Sequence, residues 1–66
     1  MAALDIALEA VAKLKAKGLK AGLISAEITT KVYAFREDGA MFGQGVSDKS
    51  TAEDIVAKIE ERLKGP

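Results

Sequence analysis

Sixty-six residues, 48% hydrophobic and 30% charged, leave room for one globular domain and no second. The absence of cysteine and histidine excludes a disulfide and removes the usual zinc ligands, so no covalent or metal staple is expected and no cofactor. Ten basic and ten acidic side chains cancel, which argues against nucleic acid as the default partner.

A chain this short buries only about 60% of the surface that its unfolded form exposes. Its own core therefore leaves little net stability, and oligomerisation is the staple that remains. No segment approaches the ~20 apolar residues needed to span a membrane. The N-terminus carries Asp5 and Glu9 where a signal peptide would be basic, and the lack of cysteine suits a reducing cytoplasm. Charge is unevenly spread. Residues 1–36 hold six basic and three acidic side chains, net +3, and residues 37–66 hold four and seven, net −3. Such a chain can pair antiparallel with its own copy, although solvated faces produce the same split.

The first predicted element is a helix from Ala3 to Lys17. Leu4, Ala7, Leu8, Val11 and Leu14 recur at three- and four-residue spacing. Acids open it, lysines close it, and Glu9–Lys13 has the favourable i,i+4 order. Gly18 suits C′ of a Schellman ending, with Leu19 against Leu14.

Leu23–Glu37 then alternates in the strand period without Gly or Pro. Asp38-Gly39 signals a two-residue type I′ hairpin turn, and Ala40–Ser47 forms the returning arm. That turn sets Phe35 opposite Phe42, Tyr33 opposite Gln44 and Lys31 opposite Val46 on one face. On the other it sets Arg36 opposite Met41, Ala34 opposite Gly43 and Val32 opposite Gly45. The face with Ile24, Ala26, Ile28, Val32 and Ala34 lies opposite glycines, which lets helices approach, and is assigned to them. A one-residue bulge at the turn would swap this assignment for the second arm.

The arms differ about twofold in length. Residues Leu23–Thr30, including Leu23, Ile24, Ala26 and Ile28, therefore lack a partner within the chain, and unpaired edges recruit other chains. A break at Thr29-Thr30 that folds the first arm into two strands is the competing reading. Ser50 and Glu53 make capping-box spacing for a last helix from Thr51 to Lys64, which Gly65 and Pro66 end. Ala52, Ile55, Val56, Ile59 and Leu63 form its stripe, supported by Asp54–Lys58 and Glu60–Lys64 pairs. The expected fold is α+β, helix–β-hairpin–helix (αββα), in two layers, its antiparallel sheet completed by dimerisation.

Tyr33, Phe35, Phe42 and Val46, which include every aromatic residue of the chain, would share the face away from the helices. They are an exposed interface, a small-molecule or base-stacking surface or, with the faces exchanged, the core. Gly43-Gln44-Gly45 is a poor phosphate loop, because Asp48 stands where the dinucleotide fingerprint has its third Gly. Close helix–sheet packing accounts for it better.

Gly43-Gln44-Gly45-Val46-Ser47, with Lys49 and Ala52 entering a helix, resembles the last strand and helix of double-stranded RNA-binding domains. Their pattern is G-x-G-x-S-K-K-x-A-K, and that resemblance implies lysines gripping phosphates across a major groove. Here Asp48 replaces the first lysine, one extra residue follows, and Glu53 and Asp54 are acidic. The Asp-Gly turn, G-x-G and following helix are also similar to part of the leucine-responsive domain of isopropylmalate synthases. The element order resembles small phage head–tail joining proteins.

Without His or Cys, the usual general base and the strongest nucleophile are missing, and no carboxylate pair lacks a structural role. The expectation is a non-enzymatic, cytoplasmic module, homodimeric and engaging itself or another protein through its sheet edge and aromatic surface. The alternative is a nucleic-acid-binding module using Lys13, Lys17, Lys20, Arg36 and Lys49. An idealised scaffold without a natural ligand is a third reading. Its clean caps fit that reading; two glycines in a short strand and exposed aromatics oppose it.

Overall fold

In the computed structural model, which describes residues 2–65, the elements are α1 (Ala3–Ala16), β1 (Lys20–Ser25), β2 (Thr30–Phe35), β3 (Met41–Gly45) and α2 (Ala52–Lys64). The fold is α+β, and its antiparallel sheet has three strands where two were expected, in the order β1-β2-β3. The first arm breaks at Ala26–Thr29, where the Ala26 N–H donates to the Thr29 carbonyl at 2.7 Å and the Thr29 N–H returns to Ala26. Leu23 and Ile24 consequently pair with Val32 and Lys31 of the same chain, so the spare edge Leu23–Thr30 does not exist. Neither Glu27 nor Ile28 takes positive φ, so this turn needs none of the residue types that advertise a turn.

α1 ends as its residues dictate. Gly18 adopts φ 85°, its N–H reaches the Lys15 carbonyl at 2.9 Å, and the Leu19 N–H reaches Leu14 at 3.2 Å, which completes the Schellman motif. Its buried side is Ile6, Ala7, Ala10, Val11 and Leu14, whereas Leu4 and Leu8 face solvent. The stripe is therefore rotated from the leucine pattern, because alanines pack where the two helices and the sheet come closest. α2 is capped by Thr51, whose Oγ1 accepts from the Asp54 N–H at 3.1 Å, one residue later than the expected Ser50. Ser50 Oγ instead accepts from the Ser47 N–H in the preceding loop. The α2 stripe Ala52, Ile55, Val56 and Ile59 is buried as expected.

Both helices cover one face of the sheet. α1 lies over β1 and β2, α2 over β2 and β3, and the two touch each other. Val32 and Ala34 of the central strand are fully buried beneath them.

The loop between β2 and β3 decides which side chains reach that layer. Asp38 does not take positive φ, and only Gly39 does, at 90°. The Gly39 N–H bonds to Arg36 O at 2.9 Å and the Arg36 N–H to Ala40 O at 2.8 Å. These bonds enclose a three-residue loop with glycine in the left-handed region. The Asp38 carboxylate holds it, accepting from Arg36 Nε at 3.0 Å, Arg36 Nη2 at 2.8 Å and the Ala40 N–H at 3.0 Å. Pairing shifts by one residue from the expected register, so Phe35 faces Met41, Ala34 faces Phe42, Tyr33 faces Gly43 and Val32 faces Gln44. Every β3 side chain thereby changes face.

Two outcomes test this loop. Gly39→Ala, strained at φ 90°, costs about 1–2 kcal/mol in urea denaturation. The hydrogen bonds from Arg36 and then from Ala40 hold the Asp38 carboxyl below its ordinary value. The stabilisation it gives is therefore present above the ordinary carboxylate range and lost as pH falls through the lowered folded value. An NMR titration of the Ala40 amide should show a midpoint below the ordinary aspartate value. A midpoint at or above it means the clamp is absent.

Candidate functional site

The sheet face away from the helices is the molecule's open surface. Strand alternation puts Lys20, Gly22 and Ile24 of β1, Lys31, Tyr33 and Phe35 of β2, and Met41, Gly43 and Gly45 of β3 on it. Ile24 and Met41 are 58% and 59% exposed there. Tyr33 stands at the middle of the central strand, directly opposite glycine on both sides, Gly22 in β1 and Gly43 in β3. Its ring leans across Gly22, where a Cβ would come within 2.5 Å of the Tyr33 hydroxyl. Phe35 meets it edge-on, with ring centroids 5.7 Å apart and planes at 86°.

The expected cluster Tyr33, Phe35, Phe42 and Val46 is thus divided. Phe42 and Val46 lie on the helix side by the shifted register. Val46 packs against the core, and Phe42 sits half-buried beneath the Arg36 guanidinium, 5.5 Å from the ring centroid. Ile24, assigned to the helices, faces the open side instead, and Leu23 packs on the core. Ala26 and Ile28 lie in the β1–β2 turn, Ile28 being 95% exposed. Lys31 lies on the Tyr33 face as expected, whereas Gly22 and Met41 were missed as surface residues; a three-residue loop at Asp38-Gly39 is the one sequence reading that places Met41 there.

The basic candidates do not form a patch. Lys13 pairs with Glu53 at 3.6 Å and Lys17 with Glu60 at 2.6 Å, both bridging α1 to α2. These bridges replace the expected Glu9–Lys13 and Glu60–Lys64 pairs, while Asp54–Lys58 forms at 3.1 Å. The opposite charges of the two chain halves thus meet inside one molecule. Arg36 is held by Asp38, Lys20 lies on the open face, and Lys49 sits in the β3–α2 loop. A cleft of about 770 Å³ opens at the Phe35 end of the sheet, between Leu19, Lys20, Phe35, Arg36, Glu37 and Leu63.

The two sheet edges differ. In an antiparallel ladder alternate residues turn their backbone groups outward. On β3, Arg62 of α2 donates to the outward Gly43 carbonyl, and the Gln44 amide donates to Gly45 O at 3.3 Å. On β1, Ala21, Leu23 and Ser25 turn N–H and C=O outward, given the bonds between Ala26 and Thr29. No side chain bonds to them among the described residues. No helix among the described residues is long and apolar enough to cross a membrane. Comparison with protein-family models, with curated proteins and with solved structures finds no match to this chain.

The Tyr33 arrangement is testable by contrast. Gly22→Ala must displace the tyrosine ring, whereas a Cβ at Gly43 meets Tyr33 at an ordinary 4.0 Å. Ring-current shifts at Phe35 should change in Gly22→Ala and stay put in Gly43→Ala; equal behaviour would place the ring elsewhere.

Proposed function

We propose that this chain is a small non-enzymatic module that self-associates by antiparallel pairing of β1 edges. The observation that carries this reading is the asymmetry of the edges: Arg62 and Gln44 engage the outward Gly43 and Gly45 carbonyls of β3, and among the described residues no side chain engages an outward group of β1. Natural sheets blunt an exposed edge with proline, a bulge or inward charge, and Lys20-Ala21-Gly22-Leu23-Ile24-Ser25 has one lysine at its start and none of the others. With Leu23 facing its own copy, Ala21 pairs with Ser25 on each side, and about six backbone hydrogen bonds form across the axis. The product is a six-stranded sheet with four helices on one face. A reducing cytoplasm suits a chain without cysteine, and such a module acts by binding.

Ala21→Pro tests it. The Ala21 N–H points outward in the single chain, so its loss breaks no internal bond, and proline is tolerated at such edge positions. Sedimentation across a concentration series should show a dimer for the native chain and at least tenfold weaker association for Ala21→Pro, with unchanged far-UV circular dichroism. A native chain that stays monomeric at high micromolar concentration overturns the proposal.

A further inference from the structure

We infer that the open sheet face is a stacking platform for single-stranded nucleic acid, with Tyr33 and Phe35 as base contacts and Lys20 and Lys31 as phosphate contacts. Tyr33 has glycine on both cross-strand sides, so no side chain covers its ring from Gly22 or Gly43. The ring leans across Gly22, and Phe35 stands at 86° to it with centroids 5.7 Å apart. That geometry fits one flat heterocycle on Tyr33 with its edge against Phe35.

Charge selects the occupant. The strands place Lys20 and Lys31 on this face and no acidic side chain; Glu37, in the β2–β3 loop, borders it beside Lys20 and Phe35. Among the described residues neither lysine pairs with a carboxylate, unlike Lys13 and Lys17. Lys20 stands opposite Phe35 and Lys31 opposite Ile24, so the cations flank the rings about 13 Å apart along the strands. A second copy laid face to face would gather four lysines against two bordering glutamates, which disfavours that occupant. An anionic partner that also offers bare π faces is a nucleic acid with unpaired bases; duplex bases are stacked and closed to a side chain. The inference goes beyond the edge pairing and does not require it, because β1 edges meet in the plane of the sheet and leave this face free.

Fluorescence anisotropy with a labelled twelve-nucleotide oligothymidylate tests it at low salt, beside a duplex of equal length. The single strand should bind more tightly, with log K falling against log salt at a slope of about −1.4 from two phosphate contacts. Lys20→Gln with Lys31→Gln, both exposed substitutions, should flatten that slope towards zero. Tyr33→Leu should weaken binding roughly tenfold and leave the slope unchanged, as loss of one stacked base does. Duplex bound as tightly as single strand, a salt slope untouched by the lysine substitutions, or no binding at all overturns the inference. Sedimentation of the same samples separates this result from the fate of the dimer.

Discussion

The Asp38 carboxylate, holding Arg36 on one side of the loop and the Ala40 N–H on the other, is the contact on which the rest of the sheet depends. It closes three residues, with Gly39 in the left-handed region, between Arg36 and Ala40. Because side chains alternate strictly along a strand, a loop of three in place of two exchanges the faces of all β3 residues. Phe42 and Val46 then turn toward the helices, Met41 turns out, and glycine comes to stand beside Tyr33. The ion pair is exposed, and its importance lies in geometry, since pairs of this kind contribute little free energy.

The core that this register serves is one-sided and built around small residues. Ala7, Ala10 and Ala34 are fully buried and Ala52 nearly so, and they let α1 and α2 approach each other and the sheet. Ile6, Leu14, Val32, Ile55 and Ile59 supply the bulk. Such packing leaves no role for Leu4 and Leu8, which stay exposed on the back of α1. Lys13–Glu53 and Lys17–Glu60 draw the basic helix to the acidic one. Both bridges are solvent-accessible, so they favour one helix arrangement over others more than they add stability.

Helix ends were legible in the sequence because each is set by a local chemical need. Gly18 meets a backbone requirement, and the acids of the first α2 turn meet the dipole; only the choice between Ser50 and Thr51 as cap was open, since both offer a hydroxyl at adjacent positions. The strand break carries only a weak sequence signal, because Ala26-Glu27-Ile28-Thr29 contains no glycine, proline or asparagine. A turn whose central residues keep negative φ places no demand that composition could reveal, and its cost falls on Ile28, left in water. The open face was misread for a different reason. Its membership depends on the parity of one loop, and Asp-Gly serves two-residue and three-residue hairpins alike. Tyr33, Phe35, Val32 and Ala34, on the central strand, were assigned to their correct sides because that strand's own alternation suffices; Ile24, Phe42 and Val46 were not, because their sides depend on the turns.

Breaking the first arm removed one argument for association and replaced it with another. A continuous Leu23–Thr30 would have offered an overhang, whereas the folded arm offers the flank of β1, with three residues turning their backbone groups outward. The opposite edge shows what a guarded flank looks like in the same molecule. α2 lies over β3, so Arg62 can reach Gly43, and the short Gln44 amide takes Gly45. α1 lies over β1, yet of its last-turn basic residues Lys13 pairs with Glu53 of α2, and neither Lys13 nor Lys15 bonds to β1 among the described residues. Edge and face are then independent surfaces, one in the plane of the sheet and one perpendicular to it. A domain with so small a core can extend its sheet through the first without covering the second.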